Sequence, residues 1–216
     1  MRRSTKVSMA AALAHTRRFS RAFAAAASPA VTITAGEEGV RACALAILEQ
    51  HKTLLRAIDD TTYTFPSALL QASVGQHTRH SLDHLRKPIE ALLADKLHAA
   101  AGDAELVIRY DLRQRNTAIE HDREAAIDQI EQLQDSIRAV DDSALRRRLR
   151  AAFMLSADGR EFVFESTLSR EMAFGVHHCI HHNALSKVLL RHHFPDLPLP
   201  PDFGMAPSTT NFTNTQ

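Results

Sequence analysis

Cysteine is scarce in this chain: only Cys43 and Cys179 occur among 216 residues. Two are too few for a disulfide scaffold and indicate a reducing or neutral compartment. Long apolar runs are missing as well, since no stretch approaches the ~18 apolar residues that a membrane span needs. Acids are absent from one region. Residues 1–36 carry Arg2, Arg3, Lys6, Arg17, Arg18 and Arg21 and neither Asp nor Glu. The formal charge of +1 therefore hides an asymmetry: without those six bases, 20 of the 26 Lys and Arg remain against 25 acids. An acidic body lacks the electrostatic footprint of a nucleic-acid partner. One further absence excludes a chemistry. No Glu is followed three residues later by His, so the Glu-x-x-His pattern of di-iron carboxylate bundles is not present. There is no internal repeat.

What the chain does have is histidine. Seven of its thirteen fall in two tight clusters, His77, His80 and His84, and His177, His178, His181 and His182, each inside a helix-like stretch. Imidazoles four residues apart stand one above the other on a helix, so one helix can present two nitrogens to a metal and a second helix a third. Three histidines from two helices leave coordination positions open, as a working metal requires.

The length suits one domain with tails. The first thirty residues are rich in Arg, Ser and Ala, with apolar residues spread between the bases. That composition is expected of a mitochondrial transit peptide, a disordered basic tail being the alternative. Residues 1–36 are thus set apart from a body at 37–193 and a proline-rich tail at 194–216. The expected location is mitochondrial, or else cytoplasmic.

The body reads as helical. Apolar residues from Val40 to Ile58 recur at three- and four-residue steps, giving a first helix over about 37–59. Ser73 is a candidate N-cap for a second helix through the first cluster, with a kink or break near Pro88. Thr117-Ala-Ile-Glu120 has capping-box spacing and predicts the start of a third helix whose stripe is Ile119, Ala126, Ile127, Ile130, Leu133 and Ile137. The run Arg146 to Arg150 reads as a solvated helix end. Residues 152–165 are two β-prone runs around Asp158-Gly159, a hairpin signal. The last helix begins near Ser166 or Thr167 and carries the second cluster to about His192. The tail after it is expected to be extended, with Phe203 and Met205 buried against the body and Gly204 allowing close approach.

The helical wheel sorts the second cluster. Leu168, Met172, Gly175, Cys179, Leu185, Ser186 and Leu189 share one side, together with His178 and His182; His177 and His181 fall outside it. Glu171 also points inward, and a buried carboxylate calls for a cationic or metal-linked partner. Cys179 suits the role of a small buried hydrophobe. On the second helix, the apolar side defined by Val74, Leu85, Ile89 and Leu92 lies nearer to His77 and His84 than to His80.

The segments Ser73-Val-Gly-Gln-His77-Thr-Arg-His80 and Phe174-Gly-Val-His177-His178-Cys-Ile-His181-His182-Asn-Ala-Leu resemble the two histidine motifs of the DinB-like superfamily. The resemblance is closest to a branch that also carries Tyr110-Asp-Leu-Arg113-Gln-Arg115-Asn-Thr117-Ala-Ile-Glu120, the hairpin, and an Asp202-Phe-Gly-Met-Ala-Pro-Ser-Thr tail; it covers about residues 40–210. It implies a mainly α fold, a four-helix bundle with a β-hairpin between the third and fourth helices. It further implies a divalent metal, Zn before Ni, Fe or Mn, on His80, His178 and His182, with His77 and His84 held as alternates to His80.

The same resemblance implies metal-assisted activation of a thiol or water, as in a thiol-dependent S-transferase. The expected partner is a small-molecule substrate, such as a low-molecular-weight thiol, and the candidate assembly is a homodimer; neither nucleic acid nor membrane is expected. Arg113, Arg115 and Glu171 are the candidates to orient an anionic substrate. No residue is assigned as catalytic. The competing reading is a non-enzymatic, metal-stabilised helical bundle or interaction module.

Overall fold

The computed structural model describes residues 37–98 and 106–215. The transit-peptide reading of residues 1–36 lies outside the described residues. Four long helices dominate: α1 at Glu37–Ala57, α3 at Val74–His98, α4 at Arg123–Arg138 and α6 at Leu168–His193. Shorter helices occur at Asp60–Thr64 (α2), Asp142–Leu145 (α5) and Pro207–Asn214 (α7), with a 3-10 turn at Ala118–Glu120. Strands β1 (Val107–Arg109), β2 (Arg148–Met154) and β3 (Glu161–Thr167) form one small sheet in the order β1-β2-β3. No helix among the described residues is long and apolar enough to cross a membrane.

Each long helix buries the stripe its sequence spells. On α6, Leu168, Met172, Gly175, Cys179, His182, Ser186 and Leu189 are all buried, at alternating steps of four and three. On α4 the buried set includes Ala126, Ile127, Ile130, Leu133 and Ile137. These stripes close the bundle: α6 packs on α1 and α3, and α4 completes the ring by packing on α1 and α3. Glycine sets the separation at the site. A methyl group at Gly175 would stand 2.8 Å from the carbonyl oxygen of His84 and 2.8 Å from Leu85 Cδ2, so only glycine lets α6 approach α3 this closely. Pro88 has no N–H to offer that same carbonyl four residues back.

Caps explain where the helices begin. Ser73 Oγ accepts from Gln76 N at 3.1 Å while Gln76 Oε1 accepts from Ser73 N at 3.0 Å, a reciprocal capping box for α3. Of the kink or break expected near Pro88, the break does not occur, because α3 continues to His98. The expected capping box at Thr117 is also corrected. Thr117 makes no cap bond, and only a 3-10 turn follows it; α4 starts at Arg123, where Asp122 Oδ1 accepts from Ala125 N at 3.0 Å. Glu120 has other partners: its carboxylate accepts from Arg79 Nε at 3.0 Å and from Asn116 N at 2.8 Å.

The hairpin forms with Gly159 at φ +80°, in the left-handed region that favours glycine. It is longer than expected at both ends. Arg148 to Arg150 belong to β2 rather than to a helix end, and β1 adds a parallel third strand, with Ile108 opposite Ala151. Pairing to β1 and β3 overrides the basic run's helix propensity. β3 then passes into α6 without a loop, and Thr167 Oγ1 accepts from Arg170 N at 3.3 Å as the cap.

The tail is only partly extended. Phe203 is fully buried beside His51, as expected, whereas Met205 is half-buried. Gly204, at φ +66°, passes so close to α6 that a methyl there would meet Asn183 O at 2.7 Å. The expectation of an extended segment to the end of the chain is corrected at Pro207–Asn214, which is helical. Pro207 stands in the first turn, where its fixed φ and missing N–H favour a helix start.

Candidate metal centre

The two histidine clusters face one another across the α3–α6 contact. His80, His178 and His182 each offer a ring nitrogen, and these nitrogens all lie within 4.8 Å of one another. His80 Nε2 and His182 Nε2 each stand 3.1 Å from His178 Nε2. His177 and His181 are exposed, as the wheel of this helix separates them.

The other two histidines of α3 also reach the cluster, in different roles. His77 Nδ1 lies 3.0 Å from His182 Nδ1, behind the converging nitrogens, and its own Nε2 is buried without a partner. The His84 ring packs 3.8 Å from that of His178 and stacks on Tyr110, 4.9 Å away and 13° from parallel. Phe153 stacks on the far side of Tyr110 at the same spacing and angle, and Phe174 closes the group edge-on. The wheel of α3 was right about burial, since His77 and His84 are buried and His80 is half-buried. Burial and convergence are different quantities. The more buried rings are used for packing, and the ring at the stripe's edge turns its nitrogen towards α6.

The electrostatics suit a cation held by neutral ligands. Burial, followed by the neighbouring positive charge of Arg113, lowers the His80 pKa to about 3. Burial, then His178, lowers His84 to about 3. Burial, then His181, lowers His178 to about 4, and burial, then His80, lowers His182 to about 2. At neutral pH these rings carry free lone pairs, which a transition metal requires. An all-imidazole donor set fits Zn, Cu, Fe or Ni in kind.

A cavity of about 470 Å³ opens beside the cluster, lined by His77, His80, His182, Gln76, Arg115 and Asn116, among others. The candidate substrate-orienting residues divide. Arg113 is half-buried and its Nη1 donates to His80 Nδ1 at 2.9 Å. Arg115 is exposed on the cavity wall. Glu171 lies elsewhere, lining a second cavity of about 510 Å³ with Phe153, Phe164, Ser166 and Arg170. Its carboxylate is fully buried and accepts from Tyr110 Oη at 2.8 Å and Arg170 Nη1 at 2.7 Å, which supplies the cationic partner its burial requires.

Several residues at the site had no role in the sequence reading. Tyr110 and Asn116 lie in a recognised motif, but spacing alone could not reveal that one backs the histidines and the other lines the cavity. Arg79 is buried and bonds Asp83 at 3.1 Å and Glu120 at 3.0 Å, tying the loop that carries Arg113 and Arg115 to α3. His51 is buried too, with Nδ1 2.7 Å from Asn183 Oδ1 and Nε2 2.9 Å from Thr78 Oγ1. A lone histidine on an apolar stripe gave no signal of that network.

Facing helices of this four-helix body bring three histidines beside a polar cavity, where they could hold a metal ion. The chain belongs to the DinB superfamily, whose profile matches residues 47–186. Among curated proteins it is similar to FK506-binding protein 5 of Rhizopus delemar, with 35% identity over 104 residues, or 48% of this chain and 26% of that protein. The chain thus spans about a quarter of that relative's length. No solved structure matches.

Proposed function

We propose that the protein is a divalent-metal enzyme of the DinB type that activates a thiol or a water for transfer to a small substrate, with Zn²⁺ as its metal. The observation that carries this reading is the convergence of His80, His178 and His182 from two helices, beside a cavity that His80 and His182 line. His80, His178 and His182 would hold the ion, and at physiological pH none of the three rings has to give up a positive charge to do so. A divalent ion in such a site lowers the pKa of a bound thiol or water and so supplies a nucleophile at neutral pH.

The chain's own side chains would do the rest. Arg115 on the cavity wall and Arg113 on the Nδ1 side of His80 would orient an anionic group of the substrate. Gln76 and Asn116 offer neutral hydrogen-bonding groups on the same wall. The stack of His84, Tyr110 and Phe153 excludes water behind the histidines and holds their rings in place. Glu171, which lines the other cavity, has no part in substrate binding in this proposal; it holds Tyr110.

Metal analysis of protein purified without chelators or a histidine tag, followed by a thiol-transfer assay with the metal removed and restored, tests the reading. Stoichiometric metal and metal-dependent transfer are expected. A second reading rests on the ligands' places on two different helices: an ion there would also pin α3 to α6 and stabilise the bundle without turnover. Bound metal that raises the melting temperature, with no transfer to any of a panel of thiol acceptors, would favour it. Residues 1–36 would direct the protein to mitochondria, and loss of organelle import on their deletion is the expected result.

A further inference from the structure

Arg113, the cation against His80, has no anion. Its Nη1 is on the His80 ring, its Nε is buried without a partner, and no carboxylate stands within ion-pair distance of it among the described residues. Asp111 and Asp83 act on it only as a longer-range field, and they are outweighed by burial and by Arg79 and Arg115. The neighbouring Arg79 differs: Asp83 and Glu120 both pair with it.

Arg113 also dictates where the protons lie. A guanidinium has N–H donors and no acceptor, so His80 Nδ1 must accept, and the neutral ring carries its proton on Nε2. That N–H points at His178 Nε2, 3.1 Å away, which must accept in turn. His178 Nε2 has one in-plane lone pair, so none is left for His182 Nε2, 3.1 Å away. The His80 tautomer is the wrong one for a metal, because its converging Nε2 carries the proton.

His182 can carry its proton on Nδ1, with His77 Nδ1 as the acceptor. His80 cannot do the same while Arg113 stays, since an Nδ1–H would face a guanidinium N–H. Ligating histidines ordinarily give the remote N–H to a carboxylate or carbonyl, and Arg113 imposes the reverse.

We propose that Arg113 gates the histidine site: it holds His80 in the non-ligating tautomer until a carboxylate-bearing ligand in the adjoining cavity draws the guanidinium away, so that metal and anion bind with positive coupling. The inference rests on the reading that His80, His178 and His182 hold a divalent ion. It adds a specificity rule to that reading, because a neutral ligand would not release Arg113.

The test measures Zn²⁺ affinity of the full chain by competition with a chromophoric chelator, with and without acetate, alongside ¹⁵N spectra of the histidine rings in metal-free protein. Arg113→Gln, which removes the charge and offers an acceptor, should bind Zn²⁺ roughly tenfold or more tightly than the wild type, on the scale of other outer-sphere changes. Acetate should tighten Zn²⁺ binding in the wild type and have no such effect in Arg113→Gln. The spectra of the wild type, which need no variant to fold, should show His80 protonated on Nε2. Unchanged or weaker affinity in Arg113→Gln, no effect of acetate on the wild type, or an Nδ1–H His80 in the metal-free wild type would each overturn the gate. Zn²⁺ that binds the wild type and is lost in His178→Ala, yet ignores Arg113→Gln, sinks the gate and leaves the metal reading standing. No Zn²⁺ binding by either form sinks both.

Discussion

The two cavities flanking the His84–Tyr110–Phe153 stack treat buried polar groups in opposite ways. On the sheet side, Glu171 is fully buried and its carboxylate is saturated by Tyr110, Ser166 and Arg170. On the histidine side, His77 Nε2, His84 Nδ1 and Arg113 Nε are buried without partners. A satisfied carboxylate behaves as a structural strut, since its desolvation is offset within the fold. Orphaned nitrogens have a cost that something else must justify, and a cation with its anionic co-ligand would do so. One of the three charges read from the sequence as substrate-orienting, Glu171, therefore lies in the quiet region.

The largest expected effect breaks the histidine side alone. His178→Ala or His182→Ala should lower metal affinity by more than the 10–100-fold typical of outer-sphere changes, whereas His177→Ala and His181→Ala should keep full metal content. Elemental analysis of the four purified variants decides it, and equal loss from all four would mean that the histidines act through folding.

Acid should unfold the metal-free protein through the same region. His80, His84, His178 and His182 are held neutral in the fold, with pKa values lowered to about 3, 3, 4 and 2 from the ordinary 6.5. Below pH 6.5 the unfolded chain takes up protons that the folded one refuses, so stability falls as pH falls. The loss should run from about 6.5 down to between 4 and 2, where the folded rings protonate too. Urea unfolding at a series of pH values gives the slope, and a flat profile between pH 6.5 and 4 would contradict the burial of these rings.

Glu171→Ala strips the sheet side of its acceptor and leaves the Tyr110 hydroxyl buried and unpaired. It should cost about 1–3 kcal/mol of stability, measured by urea denaturation, with metal content unchanged. A loss of metal comparable to that of His178→Ala would merge the two regions into one site. Gly175→Ala tests the wall between them. The added methyl forces α3 and α6 apart at His84 and should cost about 1–3 kcal/mol as overpacking, together with a weakening of metal affinity smaller than that of ligand removal. The smallest effect is expected at the edge of the histidine side: Ser73→Ala removes half of the α3 capping box and should cost about 1 kcal/mol, read as a small shift in the urea midpoint at constant metal content.

The helices were legible because their periodicity is strong and their packing agrees with it. The stripe from Leu168 to Leu189 places His178 and His182 together with no reference to any other part of the chain. Boundaries failed where a side chain had two claimants. Glu120 has the spacing of a capping box with Thr117, yet Arg79 and the Asn116 N–H hold its carboxylate. Arg148 to Arg150 read as a helix end, yet pair as a strand between β1 and β3. Pro207 looked like a continuation of an extended tail, yet its fixed φ and missing N–H suit the first turn of a helix.

By itself the sequence determined which residues could share a face: two inward histidines on α6, three within reach on α3, an inward Glu171 and a turn at Gly159. Those are local facts, set by the helical and strand repeats. Only the tertiary structure decided which histidine of α3 joins His178 and His182 as the third converging nitrogen, because that depends on the close approach permitted by Gly175 and on Tyr110 occupying the space beside His84. It also decided that Arg113 bears on His80 while Glu171 bonds Tyr110 in the other cavity. A charge's role is set by the partners that remain for it after every other group has packed, and those partners come from distant parts of the chain.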